Sequence, residues 1–380
     1  MLSCIYCRES KFDSGKGSLE HVILSSLGGK KGSRNICCQS CNNRLGDAFD
    51  QPLSVALSFF STMLGITTGR NRPAPTHKRA ASHEGRAYDI GPNGEFTLSN
   101  ANVKIDETDE PGKKKISITA GSTQQALGLI NQVLSKFGKS IDDFQTLDAK
   151  TVTSYMPVVE QNLSLGGPEQ LRSIAKMLLT YAATLISPER LRDGTFEQVI
   201  DYINNIESTY DDIHFDQATH FPTKPFLDEI NHRVFFTTSH TKKLALGLIE
   251  IYGKIRFSAV LSREWNGPSI CKAYAINPVT QEQTDLTLDP NEETFNLLDR
   301  RGLDMEEMSK IIGELIEVFQ ERQTNQTISK ITTSAIEKHM TGKGRFITKD
   351  MIENVSYEVA SEFAKFHFRI DSVDDVDLKK

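Results

Sequence analysis

The chain has 380 residues, 38% of them hydrophobic and 25% charged. Those values fit two or three globular domains and exclude a collagenous or wholly disordered chain. No stretch reaches the ~20 consecutive apolar residues of a membrane span, and a net charge of −6 taken over the whole chain argues against a polyanion binder.

The charge is unevenly spread. Residues 1–80 carry 11 Lys and Arg against 5 Asp and Glu, whereas residues 81–380 carry 33 against 45. A basic module joined to an acidic one points to a polyanion partner for the first. The start, Met1-Leu2-Ser3-Cys4, lacks the basic-then-apolar pattern of a secretory leader, so a cytoplasmic protein is expected.

In chain order, residues 1–64 read as one compact unit and 65–86 as a basic linker rich in Gly, Pro, Arg and Lys. Residues 87–380 read as a mixed α and β body. Strands are expected at 95–105 and 115–120, around a turn at 106–114 that contains Pro111-Gly112. A helix follows over 121–138, with Leu127, Ile130, Val133, Leu134 and Phe137 on one face and Ser122 as N-cap. Further helices are expected at 168–186 and 195–208. Strands at 232–239, 254–262 and 269–277 come next. Leu244, Leu248 and Ile251 suggest a helix at 243–252 between them. Helices at 304–322, 328–340 and 348–366 close the body, and 371–380 is an acidic, frayed tail. The fold class is therefore α+β, a small N-terminal module followed by a larger mixed body ending in helices.

Five of the six cysteines lie in the first 41 residues. Reducing compartments disfavour disulfides, so clustered cysteines read as metal ligands. Cys4-x-x-Cys7 and Cys38-x-x-Cys41 are two CxxC turns, each placing two thiolates on one side. Together they supply a tetrahedral structural Zn²⁺ site. Only Cys38, not Cys37, has the two-residue gap to Cys41, which leaves Cys37 as a small buried hydrophobe. A module of this size has little core, so a metal staple makes physical sense.

Between the pairs runs Leu19-Glu20-His21-Val22-Ile23-Leu24-Ser25-Ser26-Leu27-Gly28-Gly29. Asn35-Ile36-Cys37-Cys38-Gln39-Ser40-Cys41-Asn42-Asn43-Arg44-Leu45-Gly46 follows it. With the two CxxC pairs, these segments resemble the HNH endonuclease family over about residues 4–53. Leu24 departs from the Pro common there, and touches no catalytic group.

The resemblance implies a ββα-metal (treble-clef) fold, with a hairpin and the next helix carrying the site and zinc serving as a staple. It makes His21 the general base that activates water. An imidazole, with an ordinary pKa near ~6.5, can take a proton at neutral pH. It makes Glu20 and Asn42, with Asn43 as the alternative, the oxygen ligands of a catalytic Mg²⁺ or Mn²⁺. Asn35 matches the central Asn, an orienting residue. Neighbours on a strand point to opposite faces, so a bend or bulge is needed for Glu20 and His21 to serve one site.

Lys30, Lys31 and Arg34 lie in the Gly-rich loop and could track a DNA backbone, and Arg44 could bind phosphate. Asp50 is expected to be structural. The remaining histidines lack tight metal spacing, Cys271 reads as a buried strand residue, and Trp265 as a loop anchor.

The expected function is metal-dependent DNA endonuclease, nicking one strand with little sequence choice. Architecture suggests kinship with the HNH effector nucleases of antiphage defence, with residues 87–380 restraining or targeting the nuclease and other defence-system proteins as candidate partners. The alternative is a non-catalytic zinc-finger protein that binds nucleic acid. Neither a membrane role nor an oligomeric state is indicated.

Overall fold

The computed structural model describes residues 1–83, 85–107, 114–141, 164–216, 230–288, 305–340 and 347–368. Most of the turn expected at 106–114, and all of the tail at 371–380, lie outside the described residues. Two compact units account for the chain. The first joins Met1–Thr76 and Gly91–Gly94 to Asn162–Val318, and the second comprises His77–Ile90, Glu95–Gln161 and Phe319–Lys380.

The first unit begins with two short antiparallel hairpins, β1 (Leu2–Ser3) with β2 (Lys11–Phe12) and β3 (Glu20–His21) with β4 (Gly32–Ser33). Helix α1 (Gln39–Leu45) follows, then a π-turn at Gly46–Asp50 that runs on into α2 (Gln51–Met63). Hairpin β3–β4 and α1 give the expected ββα order.

The second unit opens where the sequence predicts a linker over 65–86. Instead, β5 (His77–His83) pairs with β6 (Arg86–Ile90), and β6 with β7 (Phe96–Leu98). Asp89 organises the basic residues there. It accepts hydrogen bonds from Lys78 Nζ at 2.6 Å, from the Arg79 backbone at 2.9 Å and from Ser99 Oγ, and these hold its carboxyl down at about 2. β8 (Asn102–Glu107) and β9 (Lys114–Thr119) form a further hairpin, on which α3 (Thr123–Lys136) packs. Ser122 caps α3 as expected, its Oγ accepting from Gln125 N at 3.2 Å.

Back in the first unit, α4 (Pro168–Leu185) and α5 (Glu197–Asn204) precede a six-stranded antiparallel sheet. Its strands are β10 (Ile213–Phe215), β11 (His232–Ser239), β12 (Leu244–Ile251), β13 (Ile255–Ser262), β14 (Cys271–Ile276) and β15 (Gln283–Thr287), in the order β10-β13-β12-β11-β14-β15. The segment expected as a helix at 243–252 is thus the strand β12. Leu244, Leu248 and Ile251 fit helical spacing, but Ala245, Gly247 and Ile249 between them are buried too. A central strand is covered on both faces, so its run from Leu244 to Ile249 is apolar and carries no clear period.

α4 packs against β11, β12 and β13 on one side and against the N-terminal module on the other. Ile174, Ala175, Met177, Leu178, Leu179, Tyr181 and Ala182 are all essentially buried. The approach to the sheet is close at Gly247, where an added Cβ would meet Leu178 side-chain atoms at 3.0–3.2 Å.

The C-terminal helices are α6 (Met305–Met340) and α7 (Lys349–Phe368). The two helices expected at 304–322 and 328–340 are one, because the Thr- and Gln-containing stretch between them holds no Gly or Pro to stop it. Lys338 and His339 both reach Glu358 across to α7, at 2.7 Å and 3.1 Å. Among the described residues, no helix is long and apolar enough to cross a membrane.

His232 ties the sheet to the loop after β3. Its Nε2 lies 2.9 Å from the Leu27 carbonyl, and its Nδ1 accepts from the Tyr252 backbone N–H at 3.0 Å, so the ring is neutral with the proton on Nε2. Burial pushes its pKa down to about 4. In the unfolded chain the ring titrates near its ordinary value of about 6.5. The stabilisation from a neutral His232 is therefore complete above about pH 6.5 and is lost as pH falls toward 4, a total of about 3 kcal/mol. Urea unfolding of wild type and His232→Gln at pH 7.5, 6, 5 and 4 should show a steeper acid loss in the wild type.

Candidate active site and zinc cluster

The first turn after β1 and the start of α1 bring the four predicted thiols together. The Sγ atoms of Cys4, Cys7, Cys38 and Cys41 all lie within 4.8 Å of one another, with Cys7 and Cys38 at 4.0 Å. A tetrahedral zinc with Zn–S bonds of ~2.3 Å spaces its sulfurs ~3.8 Å apart, so the cluster fits that ion. Against the upward push of burial, hydrogen bonds from Ser10 and Glu9 bring Cys7 down to about 6, which favours the thiolate a metal needs.

Cys37 points elsewhere. It is fully buried, and its thiol lies 3.7 Å from Glu20 Oε2. Burial, with Glu20 adding to it, pushes its pKa up, so it remains a thiol. Arg192 braces the same region from outside it, donating to the carbonyls of Ser3 and Asn35, each at 2.7 Å.

On the hairpin, Glu20 pairs with Ser33 and His21 with Gly32, without a bulge. The pleat therefore sends the two side chains to opposite faces. Glu20 is buried at 3% exposure, and His21 is partly exposed. The loop beyond them is shaped by Gly28, at φ +88°, and by Gly29, where an added Cβ would lie 1.9 Å from the Ile23 carbonyl oxygen.

Glu20 ends in a closed polar knot. Its Oε1 is 2.8 Å from Lys176 Nζ on α4, and Lys176 also pairs with Asp50 Oδ2. Ser173, one turn earlier on α4, donates to Asp50 Oδ1 at 2.8 Å. Burial opposes the Lys176 ammonium, but Asp50 and Glu20 outweigh it and hold its pKa above the usual value. Burial also pushes the Glu20 carboxyl up, with Lys176 pulling it back only in part.

His21 is shifted the other way. Burial lowers its pKa first, and the nearby charges of Arg70 and Lys176 lower it further. The ring is therefore neutral at pH 7, with a nitrogen lone pair to offer.

The three asparagines have separate positions. Asn42 Nδ2 donates to Ser18 Oγ at 2.7 Å and to the Leu19 carbonyl at 2.9 Å, directly before Glu20. Asn35 Oδ1 accepts from Gly15 N at 2.6 Å, fastening the turn that leads into β3. Asn43 is exposed, and its Oδ1 accepts from Gln39 at 2.7 Å.

The donor set can be tested against a divalent ion. Zinc fits the four thiols. A Mg²⁺ or Mn²⁺ held by Glu20 and Asn42, as the resemblance implies, does not fit as the side chains stand. Both Glu20 oxygens are taken by Lys176 and Cys37, and an ammonium sits where the ion would approach. Asn42 spends its amide nitrogen on the β3 segment, and only its oxygen is left to offer a metal.

The candidate DNA-contacting residues also divide. Lys30 and Arg34 are exposed, Arg34 lying 3.2 Å from the Gly17 carbonyl. Lys31 pairs with Asp285 and lies 5.0 Å from the Tyr274 ring centroid, and Arg44 is held by Asn204. Lys176, Ser173, Arg192 and Arg70 also bear on the site, and no motif in the sequence marks them. The one available signal is a serine and a lysine spaced i, i+3, which places Ser173 and Lys176 on one face of the helix.

Residues 4–58 match the family model of the HNH endonucleases. No curated protein gives a significant match, and no solved structure does. The matched span holds both CxxC pairs, Glu20, His21, Asn42 and Asp50, and an HNH endonuclease domain suggests metal-dependent nuclease activity with DNA as the implied substrate.

Cys4→Ser or Cys41→Ser should lower bound zinc from about one equivalent per chain toward none, read by mass spectrometry of purified protein. Cys37→Ser should keep its zinc. Loss of zinc in the Cys37 variant, with retention in the other two, would contradict this ligand set.

Proposed function

We propose that the protein is an HNH endonuclease that hydrolyses DNA phosphodiester bonds, with His21 as its general base. The observation that carries this reading is a partly exposed His21 at the end of β3, inside the matched span and ahead of the helix that carries part of the thiol cluster, with its pKa lowered by burial. Hydrolysis needs a water deprotonated as it attacks phosphorus. A neutral imidazole takes that proton without first having to lose one of its own.

The positive side chains near the hairpin supply electrostatic relief. Arg70 is exposed and its charge reaches His21, so an anionic phosphate approaching His21 meets it from the solvent side. Asn35 and Asn42 act on position rather than on substrate, since both fasten the chain just ahead of Glu20 and His21. One finger with one base serves one strand per engagement, so the expected product is a nick, made with little sequence choice. A role as an antiphage effector, with residues outside the matched span restraining or targeting the nuclease, is kept as part of this proposal.

The knot around Glu20 gives a second reading some support, because an acidic residue withdrawn from solvent suits a zinc module that binds nucleic acid without cutting it.

The test is a supercoiled plasmid incubated with zinc-loaded protein and Mg²⁺ or Mn²⁺. Wild type should yield open circles, and His21→Ala should be at least ~100-fold slower. The rate should rise with pH through an apparent pKa below 6.5 and level off by pH 7, because burial and neighbouring cations lower the His21 pKa. Equal cleavage by both proteins would remove His21 from the mechanism. DNA binding without cleavage in either would establish the second reading.

A further inference from the structure

We propose that Lys176 is a built-in cation that fills the place between Glu20 and Asp50, so that this carboxylate pair is closed to a divalent metal. The proposal goes beyond the nuclease reading and stands whether or not His21 supports cleavage.

The first ground is saturation. Glu20 Oε1 and Asp50 Oδ2 share the Lys176 ammonium, Glu20 Oε2 faces the Cys37 thiol at 3.7 Å, and Asp50 Oδ1 accepts from Ser173 at 2.8 Å. All four carboxylate oxygens have a partner. A metal ligand would need an open lone pair facing a space that a dication can enter. Mg²⁺ also demands oxygens at ~2.1 Å in near-octahedral array, whereas the 2.8 Å between Lys176 and Glu20 is the length of an N–H···O bond.

The second ground is permanence. The Lys176 and Glu20 side chains are 1% and 4% exposed. Lys176 comes from the middle of α4, which is buried on the sheet side by the close contact of Leu178 with Gly247. The ammonium therefore cannot swing into solvent on its own side-chain torsions. It could leave only if α4 and the N-terminal module separated. This distinguishes a structural cation from a removable plug.

The third ground is direction. The regular β3–β4 register turns Glu20 into the interior while His21 faces outward. Glu20 thus belongs to the packing of the module against α4, and any divalent ion used beside His21 must be held by other groups. The residue that completes this interior lies more than a hundred positions beyond the matched span, so residues 4–58 alone leave two carboxylates without their cation.

The experiment is Mn²⁺ binding to full-length, zinc-loaded protein, followed by the electron paramagnetic resonance signal of free Mn²⁺. Circular dichroism checks the fold of each variant. Three proteins are compared: wild type, Glu20→Gln and Lys176→Ala. Glu20→Gln should match the wild type within about twofold, whether the wild type binds Mn²⁺ elsewhere or not at all. Lys176→Ala should gain a Mn²⁺ site, because it uncovers two carboxylates and the space the ammonium filled.

A folded Glu20→Gln that loses tenfold or more of the wild-type Mn²⁺ affinity would overturn the proposal, since Glu20 would then be a ligand and Lys176 would give way to metal. A folded Lys176→Ala that gains no site would also count against it. If Lys176→Ala does not fold, the Glu20→Gln comparison decides. Failure of the nuclease reading would appear separately, in the plasmid assay with His21→Ala, and leaves these binding results unaffected.

Discussion

An ammonium between two carboxylates, out of water, holds the first unit together. Taking Lys176 and Glu20 from solvent costs several kcal/mol per ion, and only close pairing with each other and with the partly exposed Asp50 offsets it. Losing one partner of such a group typically costs about 3–5 kcal/mol, because the others remain buried and uncompensated. The hairpin that carries His21, the turn that carries Asp50 and the helix that carries Lys176 must therefore assemble as one piece. α4 is in turn fixed to the sheet by apolar packing at Leu178 and Gly247, so sheet, helix and finger are mechanically continuous.

The other attachments follow the same logic of satisfying buried polar groups. Arg192 caps carbonyls of Ser3 and Asn35 on either side of the thiol cluster. His232 holds the Leu27 carbonyl and accepts the Tyr252 amide. Ser61 and Tyr252 meet at 2.7 Å between α2 and the end of the sheet. Each contact supplies a partner to a group that the small finger cannot satisfy by itself. Zinc would secure one end of the finger, while Lys176, Arg192 and His232 secure the rest from the larger body. The hairpin can then hold the partly exposed His21 on a rigid support, which is what the proposed role of general base requires.

Much of the local structure could be read from residue patterns. The CxxC spacings located the thiol cluster and left Cys37 out of it. Ser122 and the apolar spacing after it gave α3 and its cap, and 168–186 gave α4 nearly to the residue. The errors have physical causes. β12 reads as a helix because a strand buried on both faces has no alternation to display. The basic stretch at 77–83 reads as a linker because what orders it lies on another strand: Asp89 accepts from the Lys78 ammonium and the Arg79 backbone. A single helix, α6, was divided in two where polar residues interrupt the apolar pattern without breaking the backbone.

The sequence by itself determined the chemistry available: four thiols in two paired turns, a Glu-His pair, asparagines at fixed offsets, and a basic N-terminal segment. Those properties follow from residue type and short-range spacing, which are local. Which side of the hairpin each residue faces, and what meets it there, was decided only by the tertiary structure. Glu20 and His21 are neighbours in the chain, yet one is drawn inward by a lysine from a helix 156 positions further on and the other is left partly exposed on the opposite face. A lysine that looks like an ordinary helix residue becomes a buried counter-ion because its helix is packed on both sides. Burial depends on the whole assembly, and burial is what gives this carboxylate an ammonium from a distant helix as its partner.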